Sequence, residues 1–258
     1  MISKNAGEIF INPCQYTTYD LQLNPYIPVE PTAIDLYYGM MISMKRTTTM
    51  YPKGIKAPAS KTHVLKPGSN NAKLGFILTA KAHKGKRMYS VTLTERATCP
   101  TSCQHWDDCY GNNMPFAHRF DTIGLMEKIE SDISILLKKH KEGIMVRLHV
   151  LGDFYSTEYV AFWERMLLEN PKLAVFGFTA REDKIGRAVS ILNIRFSDRC
   201  VIRTSRNKES NGIDNIFAAS ESFEGKAFTC PEQTGKVKSC ADCGLCWTAT
   251  KTVRFLSH

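Results

Sequence analysis

The sequence predicts an α/β protein: a partial (β/α) barrel or open parallel sheet, carrying a C-terminal cysteine-rich metal-binding extension. Three observations lead there. Buried-type apolar runs begin at residues 144, 173 and 200, at steps of 29 and 27, and helical patterns fall between them. That period is the one of β-α units with parallel strands and right-handed crossovers. The stretch from residue 87 to the last cysteines is too short for the roughly 250 residues of a closed eight-unit barrel. Finally, seven of the nine cysteines fall in two clusters that bracket these units.

The elements follow in order. Residues 87–94, RMYSVTLT, alternate and are rich in β-branched side chains, which predicts a first strand. From Pro115 to His140, apolar residues recur at steps of three and four (Ile123, Met126, Ile129, Ile133, Leu136), which predicts a helix stopped by Gly143. Residues 144–151, IMVRLHVL, read as a strand buried on both faces. Ser156 is placed to cap a helix bearing Val160, Trp163 and Leu167, which Pro171 ends. Residues 173–178, LAVFGF, give the next strand. Ile185, Ala188, Val189 and Leu192 mark another helix, and residues 200–204, CVIRT, a further strand.

Three parts are expected. Residues 1–60 read as an irregular, basic, proline-containing extension, because six prolines break every candidate element. Met40, Met41 and Met44 are alternative starts, so the first 44 residues are expected to be dispensable. Residues 61–212 form the β/α core with its cysteine loop, and residues 213–258 the cysteine-rich segment.

Charge is uneven. The chain carries 34 Lys and Arg against 25 Asp and Glu, a net of +9. Residues 1–98 hold 13 basic and 5 acidic groups, and no acid lies between Asp35 and Glu95. A one-signed segment attracts polyanions, so segment 45–96 is a candidate nucleic-acid contact, with Lys81, Lys84, Lys86 and Arg87 its densest group. The same charges also suit a solvated arm. No apolar run reaches the roughly 18–20 residues that span a bilayer, and no leader is expected. The expected location is the cytoplasm, or a host cytoplasm for a phage product.

The cysteines carry the chemistry. Tight spacing and an odd total argue against a disulfide framework and for metal ligation. Cys99-x3-Cys103-x5-Cys109 follows the first strand. Three thiolates in one loop can hold three irons of a [4Fe–4S] cluster and leave the fourth open, or a zinc with His105 or another cysteine as fourth ligand. Cys230-x9-Cys240-x2-Cys243-x2-Cys246 suits a zinc or a second cluster. Ligands bind at the carboxyl ends of parallel strands. Gly152-Asp153 and Thr179-Ala180-Arg181 are expected at that edge beside the first thiol loop. Asp153 serves equally as a helix cap. His149 reads as a core or rim residue, Cys200 as a buried apolar one, and Trp106 and Tyr110 as packing or as a shield for the thiols. Arg203 and Arg206 suit an anion or a surface. Cys14 has no assigned role.

A cysteine triplet after the first strand and a glycine-acid pair after the second resemble the radical S-adenosylmethionine superfamily. That resemblance covers about residues 87–206 and implies a [4Fe–4S] cluster at the triplet and S-adenosylmethionine beside Gly152 and Asp153. The spacing departs from the superfamily's usual three-then-two residues, and the acid is Asp rather than Glu. A closer resemblance is to phage and mobile-element proteins of the "gene product 88" type. It is carried by NNAKLG, TCPTSC…CYG, VRLHVLGDFYS and FTCPEQTGK…SCADCGLCW, over about residues 70–256. Together they imply an iron–sulfur-binding phage-type protein of radical-enzyme-like architecture. The alternative is a zinc-stabilised, non-catalytic nucleic-acid-binding protein.

Overall fold

The computed structural model describes residues 47–59, 61–205, 217–219, 223 and 225–256. Cys14 and Arg206 lie outside the described residues, as do residues 1–46 of the expected extension. In chain order the strands are β1 (Ile55–Lys56), β2 (Lys66–Pro67), β3 (Arg87–Ser90) and β4 (Arg119–Phe120). Helix α1 (Leu125–Lys139), β5 (Ile144–Leu148), α2 (Thr157–Glu169), β6 (Leu173–Thr179), α3 (Lys184–Arg195) and β7 (Cys200–Ser205) follow. The chain continues with β8 (Phe217–Ala219), β9 (Ala227–Thr229), two short helices α4 (Cys240–Cys243) and α5 (Leu245–Thr248), and β10 (Thr252–Arg254).

Eight strands form one sheet in the order β2-β3-β5-β6-β7-β8-β10-β9. Every pairing is parallel except β2 with β3. The sheet is open, with β2 and β9 at its edges, and no barrel closes. From β3 to β8 each strand lies beside the next parallel strand in sequence, so the winding does not reverse.

Both faces of the sheet are covered, which is why its strands read as continuous apolar runs. Alternate residues divide between two cores. Tyr89, Ile144, Val146, Leu148, Val175 and Ile202 pack against α1, α2 and α3, with Trp163 and Tyr159 of α2 fully buried among them. Met88, Met145, Ala174 and Phe176 face the other way. They are covered by Leu74 and Leu78 and, from the cysteine-rich segment, by Ala241 and Trp247. The Trp247 ring lies 4.7 Å from that of Phe176. The C-terminal segment is therefore the second layer of the sheet, and not an appendage to it.

The predicted starts of β5, β6 and β7 coincide with the observed ones, and Ser156 caps α2 by accepting the Tyr159 N–H. The predicted helix 115–140 begins only at Leu125. Its first residues instead form β4, which pairs with β1, and Gly124 turns the chain with φ +68°. Ile123, which completes the helical pattern in the sequence, is 81 % exposed and outside the helix. Residues 47–59 of the proline-containing stretch pack onto the core. Thr49 is buried, with its hydroxyl donating to Glu95 Oε1 at 2.6 Å, and Tyr51 donates to the Asn112 carbonyl at 2.6 Å.

Candidate metal centre at the carboxyl edge of the sheet

The loop after β3 carries Cys99, Cys103 and Cys109, each half-buried and unbridged. Its base is a buried ion pair. Arg119 Nε donates to Glu95 Oε2 at 2.7 Å, and neither side chain is more than 1 % exposed. The rest of the Arg119 guanidinium donates to the carbonyls of Gly111 (3.0 Å), Met114 (3.1 Å) and Ala117 (2.9 Å), closing the far end of the loop. The residues at 115–124 are shaped by this service, which an uninterrupted helix could not perform.

Arg96 organises the interior of the loop. It sits at φ +65°, donates from Nε to the Trp106 carbonyl at 3.0 Å, and from Nη2 to Asn112 Oδ1 at 2.9 Å. These partners flank Cys109 in sequence. The third terminal donor, Nη1, is buried without a hydrogen-bond partner among the described residues.

The backbone at Arg96, His105 and Gly111 favours the charged form of Cys99, Cys103 and Cys109 respectively. Burial pushes all three thiols up, Cys99 to about 12, and the Asp153 carboxylate adds to the rise at Cys99 and Cys103. The backbone works in the opposite direction, and at Cys109 the Arg96 charge does too. Such groups favour the charged sulfur that a metal requires.

Gly152 and Asp153 brace this loop against the sheet. Asp153 Oδ1 accepts from the Phe154 N–H (2.7 Å) and the Thr179 hydroxyl (2.7 Å), and Oδ2 from the Ala180 N–H (2.8 Å). Its own N–H donates to Thr98 Oγ1 at 3.2 Å. Asp153 thus ties the ends of β5 and β6 together and does not cap α2. Burial raises its carboxyl to about 6 against these hydrogen bonds. Arg181 completes the tie, donating to the carbonyls of Phe154 (2.8 Å) and Thr98 (2.9 Å). The loops after β3, β5 and β6 therefore meet at the carboxyl edge.

Gly152 has φ +82°, and a Cβ there would stand 2.5 Å from Thr98 Oγ1 and 2.6 Å from Leu93 Cβ. Gly152→Ala is accordingly expected to destabilise the protein by about 1–3 kcal/mol. It should also displace the thiol loop, which chemical denaturation and thiol-accessibility kinetics would register together.

Seven cysteines group as the sequence divides them, three in this loop and four around one pocket near the C terminus. Among the described residues, no three Cys, His, Asp or Glu side chains already stand in ligating geometry. Trp106 is buried beside the loop, whereas Tyr110 is 43 % exposed. His105 is exposed and faces Asp108 at 3.2 Å. Cys200 is buried in β7, as its apolar context predicts.

His149 is a core residue. Its Nε2 lies 3.2 Å from the Tyr159 hydroxyl, and burial, aided by the Arg147 charge, lowers it to about 3. Arg203 differs from expectation. It is fully buried, away from the surface, and donates to backbone carbonyls of the C-terminal segment.

The basic group chosen from the sequence lies at the opposite edge of the sheet. Arg87 opens β3, and Lys86 Nζ donates to the carbonyls of Lys172 (2.6 Å) and Glu142 (3.2 Å), at the amino ends of β6 and β5. These residues do not reach the thiol loop. Among the described residues, no helix is long and apolar enough to cross a membrane.

Comparison with known proteins adds one relationship. The chain is 29 % identical over 153 residues to the Gene 88 protein of Mycobacterium phage D29, and 28 % identical over 152 residues to that of Mycobacterium phage L5. The resemblance is to phage proteins. Each match covers 52 % of this chain and 64 % of the relative, so the chain spans just under two thirds of the length of these curated relatives. The name Gene 88 specifies no reaction, ligand or partner. No family model matches the chain. No solved structure matches it.

Proposed function

We propose that this phage-type protein binds an iron–sulfur cluster through Cys99, Cys103 and Cys109, at the carboxyl edge of its parallel sheet. The observation that carries the reading is a set of three half-buried, unbridged thiols in one loop, tied to the carboxyl edge of the sheet by Arg181 and holding the buried Arg96 guanidinium. Soft thiolate donors select iron–sulfur clusters, zinc or copper(I), and hydrogen bonds to sulfur tune such centres. Three ligands favour a cluster with one open iron over a closed structural zinc, because His105 is exposed and paired with Asp108. The buried, unpartnered Nη1 of Arg96 supports the same reading, since an anionic centre supplies the acceptor it lacks.

Gly152, Asp153 and Arg181 enter this reading as braces of the loop. Both Asp153 oxygens accept internal hydrogen bonds, and the reading rests on metal binding alone.

Anaerobic reconstitution with iron and sulfide should give a brown protein with broad sulfur-to-iron charge-transfer absorption. Each of Cys99→Ala, Cys103→Ala and Cys109→Ala should remove the loop's share of that absorption and leave the far-ultraviolet circular dichroism unchanged. Protein that takes up only zinc, or that colours equally in all three variants, would overturn the reading.

A further inference from the structure

The second thiol group lies in a different part of the molecule. Cys230, Cys240, Cys243 and Cys246 line one pocket, together with Phe228 and Trp247. Local structure brings them there. Ser239 caps α4 by accepting the Asp242 N–H, and Gly244, at φ +71°, turns the chain directly into α5. Cys240 and Cys243 thus mark the ends of one short helix, and Cys246 falls within the next. The Cys240 N–H donates to the Lys73 carbonyl at 2.8 Å, and the Cys230 N–H to the Arg254 carbonyl at 2.9 Å, which fixes the helices and the β9–β10 ribbon around the same space. The backbone at Leu245 favours the charged form of Cys243.

The charges around this pocket are one-sided. Arg147 projects from β5 on the face covered by the C-terminal segment. Its guanidinium carbon lies 4.3 Å from the centre of the Phe178 ring and 5.5 Å from that of Phe176, and Nη1 donates to the Leu148 carbonyl at 2.7 Å. Among the described residues no carboxylate pairs with it. Cys240 and Cys246 pack against the same apolar cluster as Phe176, on the face from which Arg147 projects. Arg203 Nε donates to the Cys246 carbonyl at 2.8 Å, which places a second guanidinium beside this segment. Glu232 lines the pocket but is paired with Lys73 Nζ at 3.3 Å.

A guanidinium cannot shed its proton to escape burial, and a buried charge is costly unless it is paired. Four neutral thiols offer Arg147 no counter-charge. Four thiolates on a divalent cation offer two.

We propose that Cys230, Cys240, Cys243 and Cys246 form a second, coordinatively saturated tetrathiolate centre for a soft divalent cation, and that Arg147 is the buried counter-charge that holds this centre as a dianion. Loading takes one divalent cation and four thiols to one dianionic centre, with four protons released to solvent and no electron transferred. The centre has no open position and is independent of the cluster proposed at Cys99, Cys103 and Cys109. Its role is to hold the layer that covers the inner face of β5 and β6, with Arg147 as a positioning residue.

The test uses the full chain carrying Cys99→Ser, Cys103→Ser and Cys109→Ser, titrated anaerobically with Co²⁺ in competition with a chelator. One equivalent should bind, with thiolate-to-cobalt charge transfer and the ligand-field bands of a tetrahedral site, and Cys240→Ser should abolish both. Absence of charge transfer in the triple-serine protein overturns the centre, whatever happens at the first loop. Adding Arg147→Met should weaken Co²⁺ binding about 10–100-fold, the range for residues that support metal ligands from outside, and Arg147→Lys should recover most of it. Unchanged affinity in Arg147→Met overturns the counter-charge. Should that variant fail to fold, Arg147→Gln and Arg147→Lys decide the matter. Tight binding by the lysine variant alone supports the proposal, and equal weakening in both overturns it.

Discussion

Arg119→Met should cost about 3–5 kcal/mol of stability, the range for removing one partner of a buried ion pair. The Glu95 carboxylate would remain 1 % exposed, with the Thr49 hydroxyl at 2.6 Å in place of a cation. The carbonyls of Gly111, Met114 and Ala117 would lose their donor in the same step. The ion pair sits at the foot of the thiol loop, so stability and metal binding should fall together. Urea denaturation of Arg119→Met, Glu95→Leu and the double variant separates the contributions. The double variant should recover part of the loss, because it leaves no unpaired buried charge. A loss below about 1 kcal/mol in Arg119→Met, the scale of an exposed pair, would show that the loop does not depend on this base.

A loss of comparable size is expected for Arg203→Met, on the other face of the sheet. Arg203 donates to the carbonyls of Cys246 (2.8 Å), Lys251 (3.0 Å), Leu245 (3.3 Å) and Ala249 (2.5 Å). The Leu245 carbonyl also accepts the Ala249 N–H at 3.0 Å, whereas those of Cys246 and Ala249 lie at the end of α5, where carbonyls lack an intrahelical donor. An unsatisfied buried acceptor costs about 1–3 kcal/mol, and several are released at once. The signature should be local as well as global. Amide exchange should accelerate across residues 240–254, and Trp247 fluorescence should shift to the red as the ring leaves Phe176. Protection equal to that of the unaltered protein would mean that apolar contacts alone hold the segment.

Both arginines show where the sequence stops being legible. β5, β6 and β7 begin at the expected residues because a parallel strand buried on two faces leaves a continuous apolar run, which is a local signal. The Ser156 cap is equally local. Arg119 lies 24 residues from Glu95, and Arg203 lies 42 to 48 residues from its carbonyl partners. No periodicity encodes such pairings. A signal was present nonetheless, since an arginine inside a buried strand, as in CVIRT or IMVRL, needs a partner within the fold.

The site divides in the same way. That the thiol loop and the Gly152-Asp153 turn share one edge follows from parallel strands alone. The internal hydrogen bonds of Asp153 depend on how β6 ends, and the sequence offered a ligand role or a helix cap. The helix predicted from Pro115 failed because Ile123 completes a helical pattern that Gly124 and the carbonyl ties of Arg119 override. The C-terminal cysteines read as an extension because no apolar stripe announces that Ala241 and Trp247 cover a sheet.

The central claim is that the three thiols of the loop hold iron. The most direct measurement is the iron and acid-labile sulfide content of anaerobically isolated full-length protein, compared with the variant carrying Cys99→Ser, Cys103→Ser and Cys109→Ser. Iron and sulfide are expected in the first and should be lost from the loop in the second, with the C-terminal centre still loaded. Equal iron and sulfide in the two proteins, or zinc alone in both, would contradict it.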